Sequence, residues 1–205
     1  KYLFVPHDAG IASLAVMNEY AELVDRLIRK LFRIAEDRYF VDFPRLNFRL
    51  AVVAVGGYGR GELSLGSDID LLFLHRGKLN PYVETIAETL IQRLWDARLT
   101  VGGATPNLPE CLRVGRQDLP TLTSYLDMRF LVGDPELFAE LAAEVRGLIR
   151  EDPESFVMAK LEEQRTRHEQ FGESLYLLQP NLRESLGGLR DYQTAIWIAR
   201  AVQWD

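Results

Sequence analysis

A single cysteine, Cys111, stands among 205 residues. No disulfide can form within the chain, and a zinc site built on thiolates is disfavoured. Its neighbours Glu110, Leu112 and Arg113 follow a helical pattern, so Cys111 reads as a buried structural thiol. Long apolar runs are missing too. No stretch approaches the ~20 residues that cross a bilayer, and the N-terminus has no secretory-signal pattern. The expectation is a cytoplasmic protein without membrane contact. Positive charge is also scarce, with 24 Lys and Arg against 30 Asp and Glu and a formal net charge of -6. Polynucleotide backbones are held by clustered cations, so this balance argues against a long nucleic-acid substrate. Internal repeats and low-complexity tracts are absent. Hydrophobic residues at 47% and charged residues at 26% match an ordinary globular mixture. The length fits one large domain or two small ones.

Hydrophobic spacing divides the chain. Between Ile11 and Glu36, Val24, Leu27, Ile28, Leu31 and Ile34 recur at helical steps and predict an amphipathic helix with one buried stripe. Leu50 to Val55 is a short valine-rich run stopped by Gly56-Gly57, which predicts a strand buried on both faces. Asp68 to Leu74 predicts a second strand, and Leu99 to Ala104 a third. Between these, Pro81 opens a helix with Val83, Ile86, Ala87, Leu90, Ile91, Leu94 and Trp95 on one face, ending between Asp96 and Leu99. Beyond Pro109 the pattern reads as helical throughout, with helices starting at Pro135 and Glu154. A polar loop over Asn181 to Asp191 then precedes a last helix from Tyr192 to Val202. The chain is expected to be still helical at Trp204-Asp205, as a piece of a longer protein would be.

The chemistry concentrates where the first strand turns into the second. Alternate residues of a strand share a face, so Asp68 and Asp70 point the same way with Cα atoms roughly 6–7 Å apart. Carboxylates at that spacing suit paired hard cations about 3.5–4 Å apart, and Mg²⁺ prefers carboxylate oxygens plus substrate phosphates. Gly56, Gly57, Gly59 and Gly61 leave the turn open to a triphosphate, whose oxygens successive backbone N–H groups could bind. Arg60 adds a charge-assisted contact to the outer phosphates, and Ser67 lies near enough to bond a phosphate oxygen. No Gly-Lys-Ser/Thr follows, so this is not a P-loop. His168 reads as part of a solvated charged face with Arg165 and Arg167, and His75 as the exit of the second strand. Arg190 and Asp191 either pair within their loop or orient the cleft.

Two stretches then resemble a known family. Gly56-Gly57-Tyr58-Gly59-Arg60-Gly61-Glu62-Leu63, followed by Gly66-Ser67-Asp68-Ile69-Asp70-Leu71-Leu72, is similar to the signature of bacterial protein-PII uridylyltransferases. These are bifunctional uridylyltransferase/uridylyl-removing enzymes of the polymerase-β-like nucleotidyltransferase superfamily. Leu178-Gln179-Pro180-Asn181-Leu182-Arg183-Glu184-Ser185-Leu186-Gly187-Gly188-Leu189-Arg190-Asp191, with Trp197 in the helix that follows, resembles a second motif of that family.

The resemblance implies an α/β (α+β) fold: a small mixed-sheet nucleotidyltransferase core flanked by an N-terminal helix and a C-terminal helical region. The boundaries expected are 1–46 for the N-terminal segment, 47–108 for the core and 109–205 for the helical region. The hydrolase and ACT domains of the family are expected to lie outside this chain. The implied reaction moves UMP from UTP to a tyrosine of the PII signal protein and releases pyrophosphate. Asp68 and Asp70 would hold Mg²⁺, and Gly56 and Gly57 would seat the triphosphate. One departure stands out. The superfamily adds a third carboxylate on a later strand, where this chain reads Gly102-Gly103-Ala104-Thr105-Pro106. Asp96 is the nearest acid, as a third ligand or as a helix-end residue. Two other readings remain open: adenylyl transfer to glutamine synthetase, and a nucleotide-binding regulatory domain without turnover.

Overall fold

The computed structural model describes residues 13–171 and 181–203. The expected helix start at Ile11, the Leu178-Gln179-Pro180 opening of the second motif and the expected helical end at Trp204-Asp205 lie outside them. Helix α1 (Ser13–Asp42) runs six residues beyond the expected Glu36. Its buried face is Ala21, Val24, Ile28, Phe32, Ala35 and Tyr39, at three- and four-residue steps. Ile34, expected in the stripe, is 54% exposed because Phe32 and Ala35 take the inward positions on that turn.

Strands β1 (Leu50–Ala54) and β2 (Ile69–His75) pair antiparallel, with Leu50 opposite His75 and Ala54 opposite Leu71. Between them lies a single helical turn, α2 (Gly56–Gly59). Helix α3 (Pro81–Asp96) is started by Asn80, whose side chain accepts a hydrogen bond from Val83 N–H, with Pro81 pre-set at the first helical position. It returns the chain to β3 (Val101–Ala104), which lies parallel to β2. Such a crossover through a helix is what a parallel neighbour requires.

The region after Pro109 is not all helix. Helices α4 (Leu108–Gln117) and α5 (Leu119–Leu126) are followed by a fourth strand, β4 (Arg129–Gly133), antiparallel to β1. The sheet order is β3-β2-β1-β4. A run as short as Phe130-Leu131-Val132 carries no period of its own, and only the free edge of β1 selects the extended form. Helices α6 (Pro135–Glu151), α7 (Pro153–Phe171) and α8 (Leu189–Gln203) complete the described chain.

Strand parity sorts the core into layers. Leu50, Val52, Ala54, Ile69, Leu71 and Phe73 face α1 and α3. Ala51, Val53, Leu72 and Leu74 face Cys111, Tyr125, Leu137, Leu141 and Val145 on α4, α5 and α6. A third cluster, Ile149, Phe156, Trp197 and Ala201, joins α6, α7 and α8. Cys111 is fully buried, and burial pushes its thiol up to about 11, as an inert structural cysteine requires. Among the described residues no helix is long and apolar enough to cross a membrane.

Candidate active site

Parity also positions the acids. Asp70 shares its face of β2 with Leu72 and Leu74, but it sits at the strand's N-terminal end, past the cover that the core provides there, and is exposed. Asp68 precedes the strand and is exposed as well. Surrounding protein strips part of the water from the Asp70 carboxyl and raises its pKa, and the Asp68 charge raises it further. Two exposed carboxylates at the open end of a strand form a donor set suited to a hard divalent ion. The position beside Asp70 on β3 is Gly102, where an added Cβ would lie 3.1 Å from the Asp70 Oδ1.

Across from Asp70 is the glycine turn. Val55 N–H donates to the Asp70 carbonyl, and Gly59 N–H donates to Val55 O at 3.0 Å. Gly56 has φ +59, the left-handed region where a side chain is strained, and a Cβ there would point to Asp70 Oδ2 at 3.6 Å. Gly59 is small for a different reason: a Cβ would come within 2.2 Å of the Asp127 carbonyl oxygen. The turn is pinned from behind. Tyr58 O–H donates to Asp25 Oδ1 at 2.7 Å, and the Arg129 guanidinium bonds Asp25 together with the carbonyls of Tyr58 and Gly59. Asp25 is 4% exposed, so this tie joins α1, the turn and β4 in the interior.

Two adjoining recesses open from the turn, of about 430 and 460 Å³, sharing Gly57, Arg60, Asp70 and Arg183 in their walls. Both volumes lie in the ordinary range for small-ligand clefts. One recess continues past Ser67 and Asp68. The other is closed by α7 and α8 through Lys160, Arg167, Arg190 and Trp197. Asp127 is the keystone of that wall. Its fully buried carboxylate accepts from Arg60 Nη1 at 2.6 Å, Trp197 Nε1 at 2.9 Å and Arg200 Nη1 at 2.9 Å. Lys160 is 1% exposed, bonds Glu163 at 2.6 Å and sits 4.6 Å from the Trp197 ring centroid. Burial holds its ammonium below the ordinary lysine range.

Comparison with known proteins gives this geometry a lineage. The family model of GlnD PII-uridylyltransferases matches residues 155–203, and that of the DUF294 nucleotidyltransferases matches residues 5–103. A bifunctional uridylyltransferase/uridylyl-removing enzyme of Rhodospirillum rubrum is 42% identical over 193 residues, 92% of this chain and 20% of that protein. Its counterpart in Cereibacter sphaeroides is 43% identical over 182 residues, 88% of this chain and 20% of that protein. The chain belongs to the nucleotidyltransferases. It spans about a fifth of the length of the curated relatives it matches. Among solved structures, a toxin–antitoxin determined with AMP-PNP is 17% identical at a TM-score of 0.35, covering 63% of this chain and 94% of that one. That likeness is too distant to bear on function.

In this nucleotidyltransferase the expected residues part ways. Asp68, Asp70, Gly56, Gly57 and Arg60 meet at the cleft, and Ser67 lines it with its hydroxyl donated to Ser64 O at 2.7 Å. Arg60, expected as a free phosphate contact, is bound to Asp127 and to Glu62 Oε2 at 2.7 Å. Asp96 ends α3, is exposed, lies 3.5 Å from Arg93 and is not among the residues of the cleft wall. Among the described residues no group of three or more His, Cys, Asp or Glu is arranged to hold a metal. His168 does not lie on a solvated face: its Nε2 is 2.9 Å from Asp191, and its side chain is 24% exposed. Asp191 bonds Gln164, Arg167 and His168 of α7 and the N–H of Gly187, not Arg190. Burial by itself would raise the Asp191 carboxyl, but the hydrogen bonds from Gln164, His168, Gly187 and Arg167 hold it well below the usual range. His75 is the last residue of β2 and is buried, with Nε2 3.2 Å from Thr105 O. Sequence reading missed Asp127, Lys160 and the wall role of Trp197. A buried lysine in a charged helix leaves no periodic trace, and Asp127 gains its role from partners about seventy residues away.

Proposed function

We propose that this chain transfers UMP from UTP to a tyrosine hydroxyl of a PII-type regulatory protein and releases pyrophosphate, with Mg²⁺ held by Asp68 and Asp70. The observation that carries the reading is the placing of these two carboxylates and the Gly56–Gly57 turn around one cleft. The UTP and PII assignments rest on the names of the relatives and on the two motifs.

The donor chemistry fits the ion: hard oxygens at the open end of a strand, with room beside them for substrate phosphates. Bound there, Mg²⁺ would neutralise charge on the phosphates undergoing transfer. The chain's own residues do the rest. Gly56 and Gly57 let the triphosphate approach the backbone, and the Tyr58–Asp25–Arg129 tie keeps that turn rigid, so that binding does not have to order it. The β3 position beside Asp70 is glycine, so no side chain on that strand receives the tyrosine proton, which passes to solvent. Transfer is therefore expected to rise with pH toward the ionisation range of a phenol near 10.

The test is modification of purified PII protein by the chain with labelled UTP or ATP and Mg²⁺, resolved by mass spectrometry. A mass gain of one uridylyl group that disappears in Asp68→Asn and Asp70→Asn is expected. Adenylyl addition to glutamine synthetase instead would replace the acceptor and the base together, and UTP binding without transfer would leave a regulatory domain.

A further inference from the structure

Most cations along the α7–α8 side of the cleft already have anionic partners. Arg60 is held by Asp127 and Glu62, Lys160 by Glu163, and Arg167 by Asp191, with Glu163 at 3.9 Å. Arg183 has Glu184 Oε1 at 3.2 Å from its Nε, while its side chain stays 66% exposed. Arg190 differs. Its Nη1 donates to the neutral amide oxygen of Gln193 at 3.1 Å, and its guanidinium lies 5.8 Å from the Trp197 ring centroid. Among the described residues no carboxylate lies within ion-pair distance of it. Burial first, then the charges of Arg183 and Arg60, hold the Arg190 guanidinium below its ordinary range, although the Glu184 and Glu163 charges act the other way.

A second observation lies in the same recess. The Arg167 side chain is 8% exposed, and its Nε has no hydrogen-bond partner, with Glu184 Oε2 3.9 Å away. A buried donor without an acceptor is costly, so a site that leaves one beside an unpaired guanidinium is built to receive acceptor oxygens. Gly56, Gly57 and Asp70 line the same recess. An extended polyanion laid along the glycine turn would therefore reach Arg190.

We infer that Arg190, with Arg183 beside it, grips the outer phosphates of the nucleotide and holds the pyrophosphate after transfer, the role that the position of Arg60 in the glycine motif suggested for that residue. The inference deepens the proposed reaction and rests on it for the identity of the ligand, though not for the existence of an anion site. The planar fork of arginine donates to two phosphate oxygens at once, which lysine cannot do in that geometry.

Isothermal titration of the chain with inorganic tripolyphosphate, without nucleotide or Mg²⁺, tests it. Wild type binds, and Arg190→Gln weakens binding about 10- to 100-fold, the range for a lost charged hydrogen bond. Arg190→Lys falls between them, and Arg183→Gln weakens binding less. Asp70→Asn retains or improves binding because it removes a repelling charge. Should Arg190→Gln fail to fold by circular dichroism, Arg190→Lys and Arg183→Gln carry the test. Wild-type affinity in both, no binding of tripolyphosphate by wild type, or equal affinity for orthophosphate would overturn the inference. Arg190-dependent tripolyphosphate binding without nucleotide transfer would instead sink the proposed reaction and leave the anion site standing. Active transfer with unchanged tripolyphosphate affinity in Arg190→Gln would sink the inference alone.

Discussion

Gly59 and Gly66 separate two reasons for glycine within one motif. A Cβ at Gly59 would overlap the Asp127 carbonyl at 2.2 Å, whereas at Gly66 nothing lies within 4 Å and the demand is only φ +84. Gly59→Ala is expected to lower stability by about 1–3 kcal/mol or more through forced displacement of backbone. Gly66→Ala should lose about 1 kcal/mol from left-handed strain. Urea denaturation of both variants measures the difference, and equal losses would mean that close approach to Asp127 is not what Gly59 provides. Asp70 makes the opposite prediction. Its raised carboxyl means that ionisation is disfavoured in the folded state. Stability therefore falls as pH rises from the ordinary carboxylate value through the raised one. Asp70→Asn should melt slightly higher than wild type at neutral pH without metal, while losing transfer. Added Mg²⁺ should raise the melting temperature of wild type and leave that of the variant unchanged. A wild type indifferent to Mg²⁺ would count against the metal role of the pair.

At the scale of elements, one carboxylate gathers the polar contacts between α7 and the start of α8. Asp191 in the first turn of α8 receives Gln164, Arg167 and His168 from α7, so its loss leaves a 7%-exposed arginine with Glu163 and Glu184 at 3.9 Å only. Asp191→Asn is expected to reduce stability by about 2 kcal/mol at pH 7. Because the folded pKa is depressed, the stabilisation is complete above the unfolded carboxylate value. It drains away as pH falls below that value toward the folded one. Denaturation curves of wild type and variant should therefore converge in strong acid, and a constant gap would show that packing rather than charge is responsible. The elements themselves were unevenly legible. Helix α3 announces its Pro81 and its stripe locally, and it runs from Pro81 to Asp96 as expected. Strand β4 announces nothing, because its extended form is imposed by β1, six intervening elements and about eighty residues away.

Across the whole molecule, Asp127 links layers that the chain visits far apart: the glycine turn through Arg60, and α8 through Trp197 and Arg200. Asp127→Ala would leave Arg60 and Trp197 Nε1 without a buried acceptor, and a loss of about 3–5 kcal/mol is expected. Loss of the contact should also change Trp197 fluorescence. A stability loss under about 1 kcal/mol would mean that water replaces the carboxylate and that the wall is looser than its geometry shows.

Sequence alone settled whatever repeats with a short period or sits within a few residues. These are the β1–glycine turn–β2 unit, the helix that follows, and the face of β2 that carries Asp70, since alternation along a strand is a local rule. The tertiary structure alone decided which charges are spent and which are free. Arg60 and Arg190 look equally available in the chain, but one is captured by Asp127 and the other faces the cleft with only an amide beside it. Pairing between distant charges depends on where separate elements dock, and no spacing within either segment encodes that meeting.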